Sequence, residues 1–265
     1  MAKRQYEGNT TGTGPSPGIW ADCPIMDMIE DPNSGHFVHY DFATPINTSD
    51  ASGGTGGIFS QDDVTSGKIV NVDLLGGGIE FDSDGNNAAD DGINAQMLTD
   101  NGGEYWAPAV GQTLWFETRA RFVDAATTPD QHFVGLCDRE TAIMTGGELD
   151  STARNMIGFF TDSGTTAGRI EFVTAKAGSA EEQTDVTSAA AVADLTWVNL
   201  GFKVYTTVRN ALRIIPYVDG VAYTELTDAD DIPLLLMAPS FVAQVEQTSA
   251  NAKLRLAWLQ IARSL

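Results

Sequence analysis

The stretch Leu114-Trp115-Phe116-Glu117-Thr118-Arg119-Ala120-Arg121-Phe122 decides the fold class. Leu114, Phe116, Thr118, Ala120 and Phe122 fall on one side at period two, and Trp115, Glu117, Arg119 and Arg121 fall on the other. That alternation predicts a half-buried strand long enough to cross a whole sheet, with one dry face and one wetter, charged face.

The same rhythm continues through residues 131–137, 155–160, 169–173 and 197–205, then 211–218, 240–245 and 253–262. Asp219-Gly220 between two apolar runs is the strongest short-range hairpin signal in the chain. Upstream, residues 36–43, 58–59, 68–75, 79–82 and 95–98 read as further strands, with Gly76-Gly77-Gly78 as a hinge or bulge. Residues 179–194 hold Ala189, Ala190, Ala191 and Ala193 and suit a short helix or a loop equally. About a dozen strands with short turns and little helix predict a single large antiparallel β-sandwich or jelly roll over residues 36–265. Residues 1–35 read as a flexible arm, rich in Gly, Thr and Pro, followed by a short helical turn over 25–29 that Pro32 ends.

Hydrophobic residues make up 42% of the chain, enough for a substantial core, and the net charge is −21. Between Asp22 and Gly102 there are fifteen acidic residues and one basic residue, Lys68. Such a surface repels nucleic acid and anionic membranes, so neither is expected as a partner. It suits a salty medium, a bound cation or a basic partner. Two cysteines, Cys23 and Cys137, supply neither a disulfide framework nor a zinc site. The opening Met1-Ala2-Lys3-Arg4-Gln5 has no apolar run behind it, and no stretch approaches membrane-spanning length. The expectation is a protein made in a cytoplasm without Sec export.

From Leu114 onward the order of pieces resembles the concanavalin A-like (lectin/glucanase, laminin-G-like) jelly roll. The resemblance is carried by Leu114–Arg119, Phe133-Val134-Gly135-Leu136, Ile157-Gly158-Phe159-Phe160, Trp197–Phe202 and Tyr217-Val218-Asp219-Gly220-Val221. Ile19-Trp20-Ala21-Asp22-Cys23-Pro24, running into His36-Phe37-Val38-His39-Tyr40-Asp41-Phe42, is similar to the opening of uncharacterised tailed-phage virion proteins. That resemblance implies a non-enzymatic capsid decoration (cement) subunit on the outer capsid surface. Its partner would be the major capsid protein, in a homo-oligomer for which a trimer suits capsid symmetry. Lys3, Arg4, Tyr6 and Trp20 are then the expected partner contacts.

The alternatives are a carbohydrate-binding module that stacks a glycan on Trp106 or Tyr105, and a glycoside hydrolase. The hydrolase reading rests on Glu80, Asp82 and Asp84, which at period two would share one strand face as paired carboxylates require. Glucanases of this fold class carry a similar Glu-x-Asp-x-Glu array, but here the third position is Asp84, and Asp84-Gly85-Asn86 reads as a turn. No catalytic residue is assigned on that basis. Asp82, Asp84, Asn86 and Asp90 offer clustered oxygen ligands suited to Ca²⁺, without EF-hand spacing; no other cofactor is expected. His36 and His39, three apart on a strand, face opposite sides and make a poor metal pair. His132 and Cys137 read as core residues, the serines lie in no Gly-x-Ser-x-Gly elbow, and Gly76-Gly77-Gly78 lacks the Lys of a phosphate loop.

Overall fold

The computed structural model describes residues 14–42, 59–63, 67–72, 78–83, 92–97, 106–123, 130–138, 143–145, 148–150, 154–161, 170–179, 182–185, 196–228, 230–245 and 252–265. Two short helices, α1 (Pro17–Trp20) and α2 (Ile25–Glu30), lead into β1 (Gly35–Tyr40). Then follow β2 (Ser60–Asp63), β3 (Lys68–Asn71), β4 (Ile79–Asp82), β5 (Gly92–Gln96) and β6 (Leu114–Val123). Next come β7 (Gln131–Cys137), β8 (Met144–Thr145), β9 (Glu148–Leu149), β10 (Met156–Thr161), β11 (Glu171–Ala175) and β12 (Glu182–Asp185). The chain closes with β13 (Trp197–Thr206), β14 (Leu212–Val218), β15 (Val221–Ala222), β16 (Ala238–Gln244) and β17 (Lys253–Ser264).

These strands make two antiparallel sheets. The eight-stranded sheet runs β15-β14-β13-β6-β17-β4-β3, with β1 alongside the C-terminal half of β17. The seven-stranded sheet runs β12-β11-β10-β7-β16-β5-β2. Every pairing within them is antiparallel and most cross over in sequence, which is the jelly-roll signature. The inner faces meet in one core. Phe116 stacks on Phe202 at 4.8 Å between ring centroids, Phe81 on Phe241 at 5.3 Å, and Phe159 meets Phe172 edge-on at 4.9 Å. Leu114, Phe116, Ala120 and Phe122 all face this core, as their period-two spacing requires.

The expected wetter face of β6 is not uniformly wet. Trp115 and Glu117 are buried, because α1 and α2 lie across that half of the sheet. Ile19, Trp20 and Met28 pack there against Trp115, Tyr217 and Ala262. The expected free arm is therefore docked from Gly14 onward. Neither helix is long enough to be stable on propensity alone, so burial holds them. Gly201 lets α1 lie this close: a Cβ there would sit 2.5 Å from the Ile19 Cδ1 and 2.7 Å from the Phe116 carbonyl oxygen. Asp31 ends α2 in an extended conformation, which the following Pro32 imposes on it.

The seven-stranded sheet has its own outer cover. The β8–β9 hairpin, which the sequence pattern does not announce, places Met144 and Leu149 over Phe133, Met156 and Phe160. Cys137 belongs to this cluster, and it forms no disulfide with Cys23.

Between β14 and β15 the Asp219-Gly220 turn forms as expected, with φ of +49° and +75°. Gly220 also touches the docked segment, since a Cβ at that position would lie 3.0 Å from the Ser16 Cβ. Gly220→Val is expected to destabilise by about 1–2 kcal/mol for its left-handed backbone alone. Chemical denaturation of the variant checks this, and an unchanged midpoint would contradict the turn.

Candidate functional site

Three groupings of polar side chains have a claim to function, two on the outer face of the eight-stranded sheet and one on that of the seven-stranded sheet. The first is the clamp on the docked N-terminal segment. Glu117, on β6, is fully buried, and both of its carboxylate oxygens are used. The Ser16 backbone N–H donates to them at 2.9 and 3.2 Å, and the Trp20 Nε1–H donates at 2.6 Å. Burial pushes this carboxyl up to about 7, against the pull of the Ser16 and Trp20 donors. Asn199, cross-strand from Arg119, donates from Nδ2 to the Gly14 carbonyl at 3.0 Å. At the far end of α1, Asp22 pairs with Lys203 and accepts from the Trp115 Nε1–H at 3.1 Å. Trp20, expected at a partner contact, is thus only 1% exposed and is spent inside the chain. Lys3, Arg4 and Tyr6 lie outside the described residues.

The second grouping is the carboxylate pair on β4. Glu80 and Asp82 do share one face, as their spacing predicts, and it is the outer face of the eight-stranded sheet. They are not solvated, because each is only 5% exposed and held by cations of β17. Arg255 Nε pairs with Glu80, while Lys253 Nζ lies 2.9 Å from Asp82 and 3.4 Å from Glu80. Burial pulls the Lys253 ammonium down, but the Asp82 and Glu80 carboxylates outweigh it and hold it above its ordinary range. A carboxylate already matched by a cation is a poor nucleophile and a costly metal ligand, since either role requires breaking the pair. Asp84, Asn86, Asp90 and Asp91 lie outside the described residues. Among the described residues no three His, Cys, Asp or Glu side chains converge as a metal site would require.

The third is a row on the outer face of the seven-stranded sheet, which the sequence reading missed. Asn94 and Gln96 of β5 stand cross-strand from Val242 and Ser240 of β16, and Gln244 stands opposite Gln131 of β7. All five polar side chains are 3% exposed or less. Gln96 Nε2 donates to the Ser240 hydroxyl at 2.9 Å and to the Asp138 carbonyl at 2.8 Å. The Gln131 amide has no hydrogen-bond partner among the described residues. Asp138, at the end of β7, accepts from the Asn155 side-chain amide at 2.7 Å. A period-two signal does exist in Asn94-Ala95-Gln96, with Ala95 in the core, but three residues are too few to mark a face.

His132 and Trp106 belong to the core. His132 donates or accepts at Thr161 Oγ1 over 3.0 Å and meets Phe122 edge-on, and burial pulls its imidazole down to about 4. That matches its expected structural role. Trp106, the expected stacking platform for a sugar, is 4% exposed and packed among core residues, so it offers none. Tyr105 lies outside the described residues.

No protein-family profile matches the chain, and no curated protein matches it. Solved structures do. A protein of unknown function from Shewanella oneidensis MR-1 aligns over 88% of each chain at 15% identity, with a TM-score of 0.53. The endo-1,3-beta-glucanase of Streptomyces sioyaensis aligns over 88% of this chain and 98% of its own at 9% identity, with a TM-score of 0.51. The binding domain of botulinum neurotoxin DC, solved in complex with rat synaptotagmin II, aligns over 86% of this chain and 48% of its own, at 7% identity and a TM-score of 0.52. The fold is a concanavalin A-like jelly-roll sandwich, of the lectin and glucanase kind. At these identities the likeness speaks for architecture alone.

Proposed function

We propose that this chain is a non-enzymatic binding subunit, and specifically a decoration protein that sits on the outer surface of a viral capsid. The observation that carries the reading is the Glu117 clamp. It fixes the chain at Gly14 and Ser16, so the sequence that precedes Gly14 and holds Lys3, Arg4 and Tyr6 has a defined anchor at its root. A segment anchored at its root gains contact area on a neighbour while losing less freedom than a free tail would. Several such segments on an oligomer bind far more tightly than one through effective concentration. Catalysis has little support, because Glu80 and Asp82, two of the three carboxylates that the hydrolase reading needs, are tied up with Arg255 and Lys253.

Deletion of residues 2–13 tests this reading, since it removes the arm without touching Ser16 or Trp20. The expected result is a folded protein with an unchanged melting temperature that no longer co-sediments with capsids. Retention of capsid binding by the shortened chain would refute the arm's role.

Glycan binding is the second reading. It is favoured by the concanavalin A-like architecture alone, which the chain shares with the Streptomyces sioyaensis endo-1,3-beta-glucanase; the Asn94, Gln96, Ser240, Gln131 and Gln244 row is buried and offers no open surface for a sugar. A glycan ligand would raise the melting temperature, and the absence of any rise across a panel of glycans would refute this reading.

A further inference from the structure

Among the described residues, α1 and α2 cover one half of the outer face of the eight-stranded sheet. Across the other half the strand registers align Glu80, Arg255, Arg121 and Trp197 in one row over β4, β17, β6 and β13. Arg119, two residues from Arg121, shares the face and stands opposite Trp258. Five of the chain's fifteen basic residues gather here: Lys68, Arg119, Arg121, Lys253 and Arg255. On a chain with a net charge of −21 that is a local reversal of sign.

Not all of this charge is matched. Glu80 and Asp82 serve Arg255, Lys253 and Lys68, and Asp219 lies close enough to Arg119 to stabilise its charge. Arg121 stands directly opposite Arg255, an arrangement of like charges that destabilises a sheet. Its guanidinium lies 6.0 Å from the centroid of Trp197, and Arg119 lies 5.7 Å from the same ring. The Nε of Arg121 is buried and makes no hydrogen bond among the described residues. The face therefore offers guanidinium forks around an indole, a combination suited to a carboxylate-bearing segment with apolar side chains beside it.

The chain itself carries a segment of that chemistry. Asp228 and Asp230 are exposed, and four residues later Leu234, Leu235 and Leu236 are 54%, 60% and 56% exposed. Three consecutive leucines in water are an unusual feature of a soluble surface. Asp231, in the same loop, has its carboxyl raised by burial and by the nearby Asp228 and Asp230, so a cationic partner would relieve that repulsion. The loop is tied to the seven-stranded sheet, where the Thr174 hydroxyl donates to the Asp231 carbonyl at 3.0 Å. The basic face looks outward from the other sheet, so one copy does not satisfy itself.

We propose that the basic, aromatic face around Arg119, Arg121 and Trp197 receives the 228–236 loop of a second copy of this chain. The contact is head-to-tail, with the acidic residues on the guanidinium groups and the leucines on Trp197. Two different surfaces meet, so the product is a ring or an open chain of subunits rather than a two-fold dimer. The proposal stands independently of capsid binding: either can fail without the other.

Sedimentation velocity of the full chain at about 50 mM and about 500 mM salt tests it. At low salt the mass is expected to rise with concentration above the 28.2 kDa monomer, and at high salt the association should weaken by about tenfold or more. Arg121→Glu, which damages the face, and Leu235→Asp, which damages the loop, should each be monomeric alone. Mixed, they should form a heterodimer and nothing larger, because only one intact face and one intact loop remain. A wild-type chain that stays monomeric at low salt overturns the proposal, as does association that both variants retain. Should Arg121→Glu fail to fold, carbodiimide coupling of mixed ¹⁴N and ¹⁵N wild-type chains answers the same question. Cross-links from Lys68 or Lys253 of one copy to Asp228 or Asp230 of another are expected, and cross-links confined to single chains contradict it. Retention of the monomeric wild type on an anionic polysaccharide column, lost in Arg121→Glu, would reassign the face to a glycan and overturn the self-association.

Discussion

Trp20→Ala is expected to lower the unfolding free energy by about 3–5 kcal/mol, the cost of emptying a site of that size in a packed interior. For a chain this long the loss corresponds to a melting temperature lower by roughly 6–15 °C. The size follows from what the indole does. It is 1% exposed, meets Phe37 edge-on at 6.5 Å, and donates to Glu117 at 2.6 Å. Its removal leaves the buried carboxylate with the Ser16 donors alone, so the loss should fall at the upper end of that range. Calorimetry gives the magnitude, and hydrogen exchange locates it: amides of residues 16–30 should lose protection while those of β7 and β16 keep theirs. A change below about 1 kcal/mol would mean that the segment is not docked.

The second large effect is on pH dependence. Glu117 is held up to about 7 by burial, above its ordinary 4.5. Between those values the folded chain binds more protons than the unfolded one, so stability falls as pH rises through that window. The contribution is full below about 4.5 and lost above about 7, and its size is on the order of 3 kcal/mol. Glu117→Gln removes the titration. Its stability should be flatter than that of the wild type between pH 4.5 and 7, and lower in absolute terms because an amide nitrogen replaces one acceptor beside the Ser16 N–H. Parallel curves for the two proteins across that window would show that Glu117 does not titrate as its surroundings require.

The two halves of the molecule differ in how much the sequence discloses. From Leu114 to Ala262 the long strands sit where period two places them, within a residue or two, because each has one face against a shared core. The short β8 and β9 carry no such signal, and β12 falls in the 179–194 stretch that reads as a helix or a loop. The Asp219-Gly220 hairpin is equally plain, since few dipeptides accept two positive φ angles in succession. What escapes local pattern is cover supplied by a distant segment. Trp115 and Glu117 read as members of a wet face, and nothing within ten residues of them reveals α1. The only hint is the Ile19-Trp20 pair in an otherwise polar stretch, an apolar pair with no local partner. In the same way Glu80 and Asp82 read as a candidate active-site pair until Lys253 and Arg255, over 170 residues away, arrive beside them. The carboxylates were legible; the cations that match them were not. The amide row around Gln131 is less visible still, because it is assembled from three strands that are remote in sequence.

The measurement that bears most directly on the proposed role is a copy count of the chain on purified tailed-virus particles. Quantitative mass spectrometry against the major capsid protein provides it, run beside particles reconstituted with the chain lacking residues 2–13. A decoration subunit anchored as proposed should be present in a fixed ratio to the capsid protein, at hundreds of copies, and the shortened chain should be absent. A chain missing from the particles, or present at only a few copies, would contradict the shell role and transfer the weight to glycan binding.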